Sequence, residues 1–200
     1  MCDVLVSTEI LSYEHARLNE DHSVAVRDQA WPIDRTLVLA LQAAANHMPH
    51  DELKRLVHVK AESDKVHQQF SSLHPAKREQ ASGLFGIHFG GMLSGNKLID
   101  NEKRHVAIVS RWIENHTIIG GEMESSGLVY ALSRGASVNG TSTHTPFVVI
   151  KAVCDWGLGK CGDLQPAAAR HAVAFAHFAL RAHYRFARPA TPVFAHAHAR

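Results

Sequence analysis

Short apolar runs alternate along the chain with longer runs of helical character. Strands are predicted at four short runs rich in apolar and β-branched residues, namely 4–6, 84–93, 117–120 and 146–153. Helices are predicted at four longer runs with helical spacing or helix-forming composition, namely 33–47, 101–115, 125–134 and 164–186. This alternation predicts an α/β fold in which helices cover both faces of a sheet.

Two segments lack this regularity. Residues 50–80 are polar and charged with weak periodicity, which predicts a surface excursion with partial helix. Residues 188–200 contain two prolines and no packing pattern, which predicts a flexible tail. We therefore expect one domain over residues 1–187, followed by that tail.

Composition narrows the class of protein. The 200 residues are 46% hydrophobic and 20% charged, which is typical of one globular domain with a real core. The net charge of +2 gives no support to nucleic-acid binding or to an anionic membrane surface. Three cysteines without a CxxC pair, and no basic leader or long apolar run, predict a cytoplasmic protein without membrane spans.

Two patterns suggest cofactors but lack the context that such sites need. Gly157, Gly159 and Gly162 match G-x-G-x-x-G, yet three residues separate them from the predicted strand and no acidic residue follows at the required distance. The pair His196 and His198 lies in the predicted tail without a Cys/His grid. The sequence therefore favours a loop at the glycines, and no metal or dinucleotide site.

The carboxylates in Glu122-Met123-Glu124 follow a predicted strand. The end of a strand is where open α/β sheets bind ligands, so this pair is a candidate binding site. A polar rim without function is the alternative, and the residues alone leave both open.

A second acid, Asp155, follows the predicted strand 146–153 and stands between Cys154 and Trp156. A carboxyl that loses hydration beside apolar groups holds its proton more readily and can deliver it as a general acid. An aspartate that caps a helix or closes a loop is the alternative.

Four segments, in order along the chain, resemble the nucleoside phosphorylase/nucleosidase superfamily. They are CDVLVSTEI, HFGGMLSGNKLIDNE, IIGGEMESSGLVYAL and FVVIKAVCDWGLGK. The resemblance implies a three-layer α/β/α fold with a mixed central sheet, incomplete at the N-terminus. It implies cleavage of the N-glycosidic bond of a purine nucleoside or nucleotide in a homo-oligomer, with inorganic phosphate as co-substrate if the reaction is phosphorolysis and no other cofactor.

The resemblance also implies roles for individual residues. Glu124 would accept hydrogen bonds from the ribose 2′- and 3′-hydroxyls, above an apolar floor formed by Met123. Asp155 would protonate or hydrogen-bond the purine N7 as the base departs. Further substrate contacts are implied for Glu122, Leu98, Ile99, Cys154 and Trp156.

One part of the superfamily pattern has no counterpart in this sequence. The superfamily begins with strands that carry a glycine-rich turn and the residues on the nucleophile side of the sugar, whereas this chain opens at Met1-Cys2-Asp3. Two hypotheses follow from the resemblance. The chain is an enzyme that cleaves the glycosidic bond, or it is a non-catalytic module that binds nucleosides or a partner on the same fold.

Overall fold

The computed structural model describes residues 2–14, 16–18, 20–21, 24–26, 29–49, 86–97, 102–135, 145–155 and 164–186. Its strands are β1 (Val4–Ser12), β2 (Ala16–Leu18), β3 (Val24–Val26), β4 (Gln29–Pro32), β5 (Ile87–Ser94), β6 (Ile118–Glu122) and β7 (Ile150–Ala152). Its helices are α1 (Arg35–Asn46), α2 (Glu102–Trp112), α3 (Ser125–Gly135) and α4 (Gln165–Phe186). The predictions for 50–80 and 188–200 lie outside the described residues.

Strand β1 is the centre of a mixed five-stranded sheet. Strand β5 runs parallel to it along one edge, and β6 runs parallel to β5. The other edge of β1 is shared by two antiparallel strands, with β7 along Val4–Val6 and β4 along Glu9–Ser12. A separate antiparallel pair is formed by β2 and β3.

Alternate residues of β1 serve different hydrophobic clusters, because successive side chains of a strand point to opposite faces. Val4 and Val6 pack with residues of α1 and α4. Leu5 packs instead in a cluster that includes Val129 of α3. Helices therefore cover both faces of the sheet, and the predicted α/β/α architecture with a mixed sheet is confirmed.

The four predicted helices are confirmed with small shifts at their ends. Helix α1 begins after Asp34, whose Oδ1 accepts a hydrogen bond from the backbone N–H of Leu37 at 3.0 Å. This bond satisfies one of the N–H groups that have no partner within a helix. Among the described residues, no helix has both the length and the apolar character needed to cross a membrane.

The predicted strands differ from those observed in their extent. The prediction of a strand over 146–153 was too long, since only Ile150–Ala152 forms one. Pro146 has no backbone N–H, and the N–H of Val149 donates to the side-chain Oγ of Ser7 at 2.9 Å instead of to a strand neighbour. Conversely, β1 continues past residue 6 to Ser12 through a register shift between Ser7 and Glu9.

Glycine allows two close approaches in the sheet. A Cβ atom at Gly90 would lie 2.5 Å from the carbonyl oxygen of Thr117, at the start of β6. A Cβ atom at Gly120 would lie 2.5 Å from Cδ1 of Leu5, which reaches β6 across the sheet face. A larger side chain at Gly90 would force the strands apart, whereas at Gly120 the flexible end of Leu5 could move aside.

We expect Gly90→Ala to lower the free energy of unfolding by about 1–3 kcal/mol, the usual cost of overpacking a close contact. The added methyl group would meet a backbone carbonyl, which cannot rotate away as a flexible side chain can. Urea unfolding followed by circular dichroism measures the change.

Gly127→Ala is the matched control. Gly127 lies in α3, and nothing is within 4 Å of a Cβ atom added there. Alanine favours the helix over glycine, so this variant should gain up to about 1 kcal/mol. If both variants changed stability by the same amount, the close approach at Gly90 would not limit the sheet.

Candidate functional site

The turn between β6 and α3 is organised by the carboxylate of Glu122. Its Oε2 accepts hydrogen bonds from the backbone N–H groups of Glu124 and Ser125, each at 2.8 Å. The N–H of Ser126 donates to Oγ of Ser94, at the end of β5, at 2.8 Å. Glu122 therefore holds the start of α3 at the end of the sheet, as helix-capping carboxylates do.

The electrostatics of Glu122 agree with this role. Burial alone would raise the pKa of Glu122, but the hydroxyls of Ser125 and Ser94 and the N–H groups of Glu124 and Ser125 outweigh it. Together they hold the pKa below its ordinary value of 4.5. The carboxylate is therefore ionised at neutral pH and bound to the protein's own turn.

Glu124 differs from Glu122 in its surroundings. Its side chain is exposed, and its Oε2 accepts a hydrogen bond from the N–H of the adjacent Met123 at 3.2 Å. Both Met123 and Glu124 line the cavity described below. Of the two carboxylates in the turn, that of Glu124 is the one exposed to a ligand.

Cys154 and Asp155 follow β7, and both side chains are partly buried. The thiol Sγ of Cys154 donates to Oδ2 of Asp155 at 3.4 Å. Burial and the adjacent Asp155 carboxylate raise the pKa of the Cys154 thiol, and the nearby Lys151 opposes this only in part. The thiol therefore stays protonated and acts as a weak donor toward Asp155.

These two acidic segments meet at a cavity of about 430 Å³, here called the acid cavity. It is bounded by Met123 and Glu124 on one side, by Cys154 and Asp155 on the other, and by apolar residues of the sheet such as Ile119. A volume of this size falls within the range of small-molecule binding sites. Three carboxylates line this cavity, that of Glu124 exposed and those of Glu122 and Asp155 partly buried.

A second cavity of about 580 Å³ adjoins the first and lies between α3, β7 and α4. We call it the helix cavity, because its apolar lining comes largely from residues such as Leu128 of α3 and Ala172 of α4. Five residues line both cavities, namely Glu122, Glu124, Lys151, Cys154 and Gln165. The two spaces therefore share one polar wall.

The acids do not meet because their strands end at the same edge of the sheet. Strand β7 runs antiparallel to β1, whereas β5 and β6 run parallel to it. The C-terminal ends of β6 and β7 therefore lie at opposite ends of the sheet, as measured along the strands. The side chain of Lys151 on β7 links the two strands, because its Nζ donates to the carbonyl oxygen of Gly121 on β6 at 2.7 Å.

Five of the predicted site residues lie in the described part of the chain and line the acid cavity: Glu122, Met123, Glu124, Cys154 and Asp155. Leu98, Ile99, Trp156 and the glycine loop 157–162 lie outside the described residues. Sequence reasoning missed Lys151 and Gln165, which line both cavities. A single charged residue within the apolar run VVIKAV was a signal for Lys151.

Comparison with known proteins found likeness in structure alone. No protein-family model matches the sequence, and no curated protein matches it either. A 5′-methylthioadenosine/S-adenosylhomocysteine nucleosidase from Colwellia psychrerythraea, solved with adenine, shares 17% identity over 91% of this chain and 60% of its own, with a TM-score of 0.56. The corresponding nucleosidase from Streptococcus pneumoniae, solved with the transition-state inhibitor MT-ImmA, shares 14% identity over 91% and 62%, with a TM-score of 0.57.

A futalosine hydrolase mutant from Helicobacter pylori shows the same likeness, at 12% identity over 90% of this chain and 60% of its own, with a TM-score of 0.54. The chain thus spans about three fifths of the length of these structures. At such identities the likeness shows the fold, and the chain shares the fold of these nucleosidases.

We expect Glu122→Gln to lower the free energy of unfolding by about 1 kcal/mol at neutral pH, because the cap of α3 loses its charge. The pKa of Glu122 is lower in the folded chain, so its contribution is present above 4.5 and is lost as the pH falls through the folded value. The gap between the wild type and the variant should therefore narrow as the pH falls below 4.5. Urea unfolding at stepped pH measures it.

Glu124→Gln is the control for the same turn, because Glu124 is exposed. Its stability should stay within about 0.5 kcal/mol of the wild type at every pH. If Glu124→Gln proved the more destabilising of the two, the division of roles between the carboxylates would be wrong.

Proposed function

We propose that this chain, which has the fold of purine nucleosidases, binds a purine nucleoside or nucleotide in the acid cavity and cleaves its N-glycosidic bond. The observation that carries the proposal is that the carboxylates of Glu124 and Asp155 line one cavity from two separate segments. The similar structures from Colwellia and Streptococcus were solved with adenine and with a transition-state inhibitor, which supports a ligand of this class.

Glu124 is the proposed anchor for the sugar. A carboxylate has two acceptor oxygens, so it can receive hydrogen bonds from two vicinal hydroxyls at once. Met123, next to it in the cavity wall, would offer an adaptable apolar surface under the ribose ring. Glu122 supports this pair by fixing the turn that carries them.

Asp155 is the proposed general acid. When the bond between the sugar and the base breaks, its electron pair stays with the base and the sugar becomes oxocarbenium-like. A proton from the carboxyl of Asp155 to a ring nitrogen neutralises the departing base, and the resemblance points to N7. Cys154, whose thiol donates to Oδ2 of Asp155, would help to orient that carboxyl.

The second reactant is a water molecule in hydrolysis or inorganic phosphate in phosphorolysis. It attacks the anomeric carbon on the side opposite the base, and the proposal includes either reaction. No other cofactor is part of it. By resemblance alone, Leu98 and Ile99 are proposed to flank the base, Trp156 is proposed as a further substrate contact, and the protein is proposed to assemble as a homo-oligomer.

A second candidate function is nucleoside binding without cleavage. The chain spans only about three fifths of the length of the similar nucleosidases. The base and ribose contacts proposed above lie within this chain and would suffice for binding. In this case the acid cavity would hold the nucleoside, and no base would be released.

The test is to incubate the protein with adenosine, methylthioadenosine and adenosine monophosphate, each with and without phosphate, and to measure free adenine by chromatography. Asp155→Asn should lower turnover by about 10²–10⁴-fold, the usual contribution of a general acid, while nucleoside affinity stays within a few fold. Glu124→Ala should abolish nucleoside binding, because the sugar loses its acceptor.

Lys103→Met is a control, because Lys103 is an exposed residue of α2 remote from the turn in sequence. It should retain both binding and turnover. Unchanged turnover in Asp155→Asn would contradict its role as the acid. Binding of adenosine without release of adenine would favour the second candidate, and absence of binding would contradict both.

A further inference from the structure

We propose that Lys151 is a positioning residue that sets the separation between the ribose anchor Glu124 and the acid Asp155. The inference rests on the proposed function of the acid cavity and adds a residue that the superfamily resemblance did not supply. It is carried by the contact of Lys151 with Gly121 and by its place in the wall shared by both cavities.

Lys151 joins two parts of the sheet that are not neighbours. It lies on β7, where it pairs with Leu5 of β1, and two strands separate β7 from β6. Its Nζ nevertheless donates to the carbonyl oxygen of Gly121 at 2.7 Å. A charge-assisted hydrogen bond of this length is among the stronger contacts available to a side chain.

A second contact joins the same two corners of the sheet. Cδ1 of Leu5, the pairing partner of Lys151, lies 2.5 Å from the position that a Cβ atom at Gly120 would occupy. Two consecutive residues of β6, Gly120 and Gly121, therefore meet two paired residues of β1 and β7. The apolar contact brings the strands close, and the ammonium of Lys151 fixes one backbone carbonyl of β6.

That carbonyl directly precedes the turn that carries the sugar anchor. Gly121 is followed by Glu122, whose carboxylate binds the N–H groups of Glu124 and Ser125. A displacement of Gly121 would therefore move Glu122 and the start of the turn together. Through this chain of contacts, Lys151 determines where the side chain of Glu124 enters the cavity.

On the other side, Lys151 belongs to the strand that leads to the acid. Cys154 and Asp155 follow it within four residues, and the ammonium is close enough to Cys154 to oppose the rise in its pKa. Lys151 thus contacts β6 directly, next to the turn, and lies four residues before the acid. A nucleoside must reach from its ribose hydroxyls to its base, so the distance between these two groups limits the ligand.

Lys97, the other lysine that lines the acid cavity, has a different partner. Its Nζ lies 3.7 Å from Oε1 of Glu14, near the ends of β1 and β5. Of these two lysines, Lys151 is the one that contacts β6, at the residue before Glu122.

The test compares two ligands, adenosine and adenine, by isothermal titration calorimetry with the wild type, Lys151→Met and Lys151→Arg. Adenine reports on the base side alone, whereas adenosine also needs the sugar anchor. We expect Lys151→Met to weaken adenosine binding by about tenfold, the effect of one lost charged hydrogen bond, and to change adenine binding by less than about twofold. Lys151→Arg keeps the charge and the donors, so it should restore most of the adenosine affinity.

Lys103→Met again controls for the loss of one positive charge and should leave both affinities unchanged. Equal losses for adenosine and adenine in Lys151→Met would overturn the inference, because they would indicate general damage to the fold. Unchanged affinities for both ligands would overturn it as well.

Hydrogen exchange separates this inference from the proposed function. The N–H groups of Glu124 and Ser125 are bound to Glu122, so Lys151→Met should speed their exchange about tenfold, whereas Lys103→Met should not. If the wild type binds no nucleoside but this exchange responds, the proposed function fails and the positioning role stands. If the wild type binds no nucleoside and the exchange in Lys151→Met is also unchanged, the proposed function and the positioning role both fail.

Discussion

The contacts that the side chains of Leu5 on β1 and Lys151 on β7 make with β6 are the constraint on which the rest of the structure depends. At position 120 this contact needs a residue without a side chain. Leu5 occupies the space at Gly120, and Lys151 reaches the carbonyl oxygen of Gly121. The acid cavity is the space left beside this contact, which is why segments from strands of opposite direction bound it.

In the turn after β6, two glutamates have different roles, one within the protein and one toward a ligand. Glu122 binds two backbone N–H groups and has a lowered pKa, so its charge is used within the protein. Glu124 is exposed beside the cavity, where its charge can act on a ligand. Two carboxylates two residues apart can differ in this way because one faces the start of α3 and the other does not. A site built like this keeps its ligand-binding group in place without using that group for support.

The sequence predicted those elements whose signal lies within a single segment of the chain. The helices 33–47 and 164–186 were found because their spacing and composition are properties of the segments themselves. Strand β1 was predicted to stop at residue 6, since the polar residues Ser7, Thr8 and Glu9 break the apolar run where the register shifts. Strands β2, β3 and β4 carry weak signals and were not predicted.

The sequence predicted some residues of the site and missed others. Met123, Glu124, Cys154 and Asp155 were identified from motifs, and all four line the acid cavity. The resemblance singled out Glu124 as the ribose anchor, but the capping role of Glu122 depends on hydrogen bonds that form only when the turn folds. Lys151 is signalled in the sequence only as the one charge within VVIKAV, whereas its contact with Gly121 crosses two strands and depends on the direction of β7. That strand has only three residues in the sheet, so the acid is attached through the shortest member of the main sheet. Backbone bonds continue beyond it, because the N–H of Val153 donates to the carbonyl oxygen of Asp3 at 2.9 Å. The first described residues of the chain therefore help to hold the acid in place.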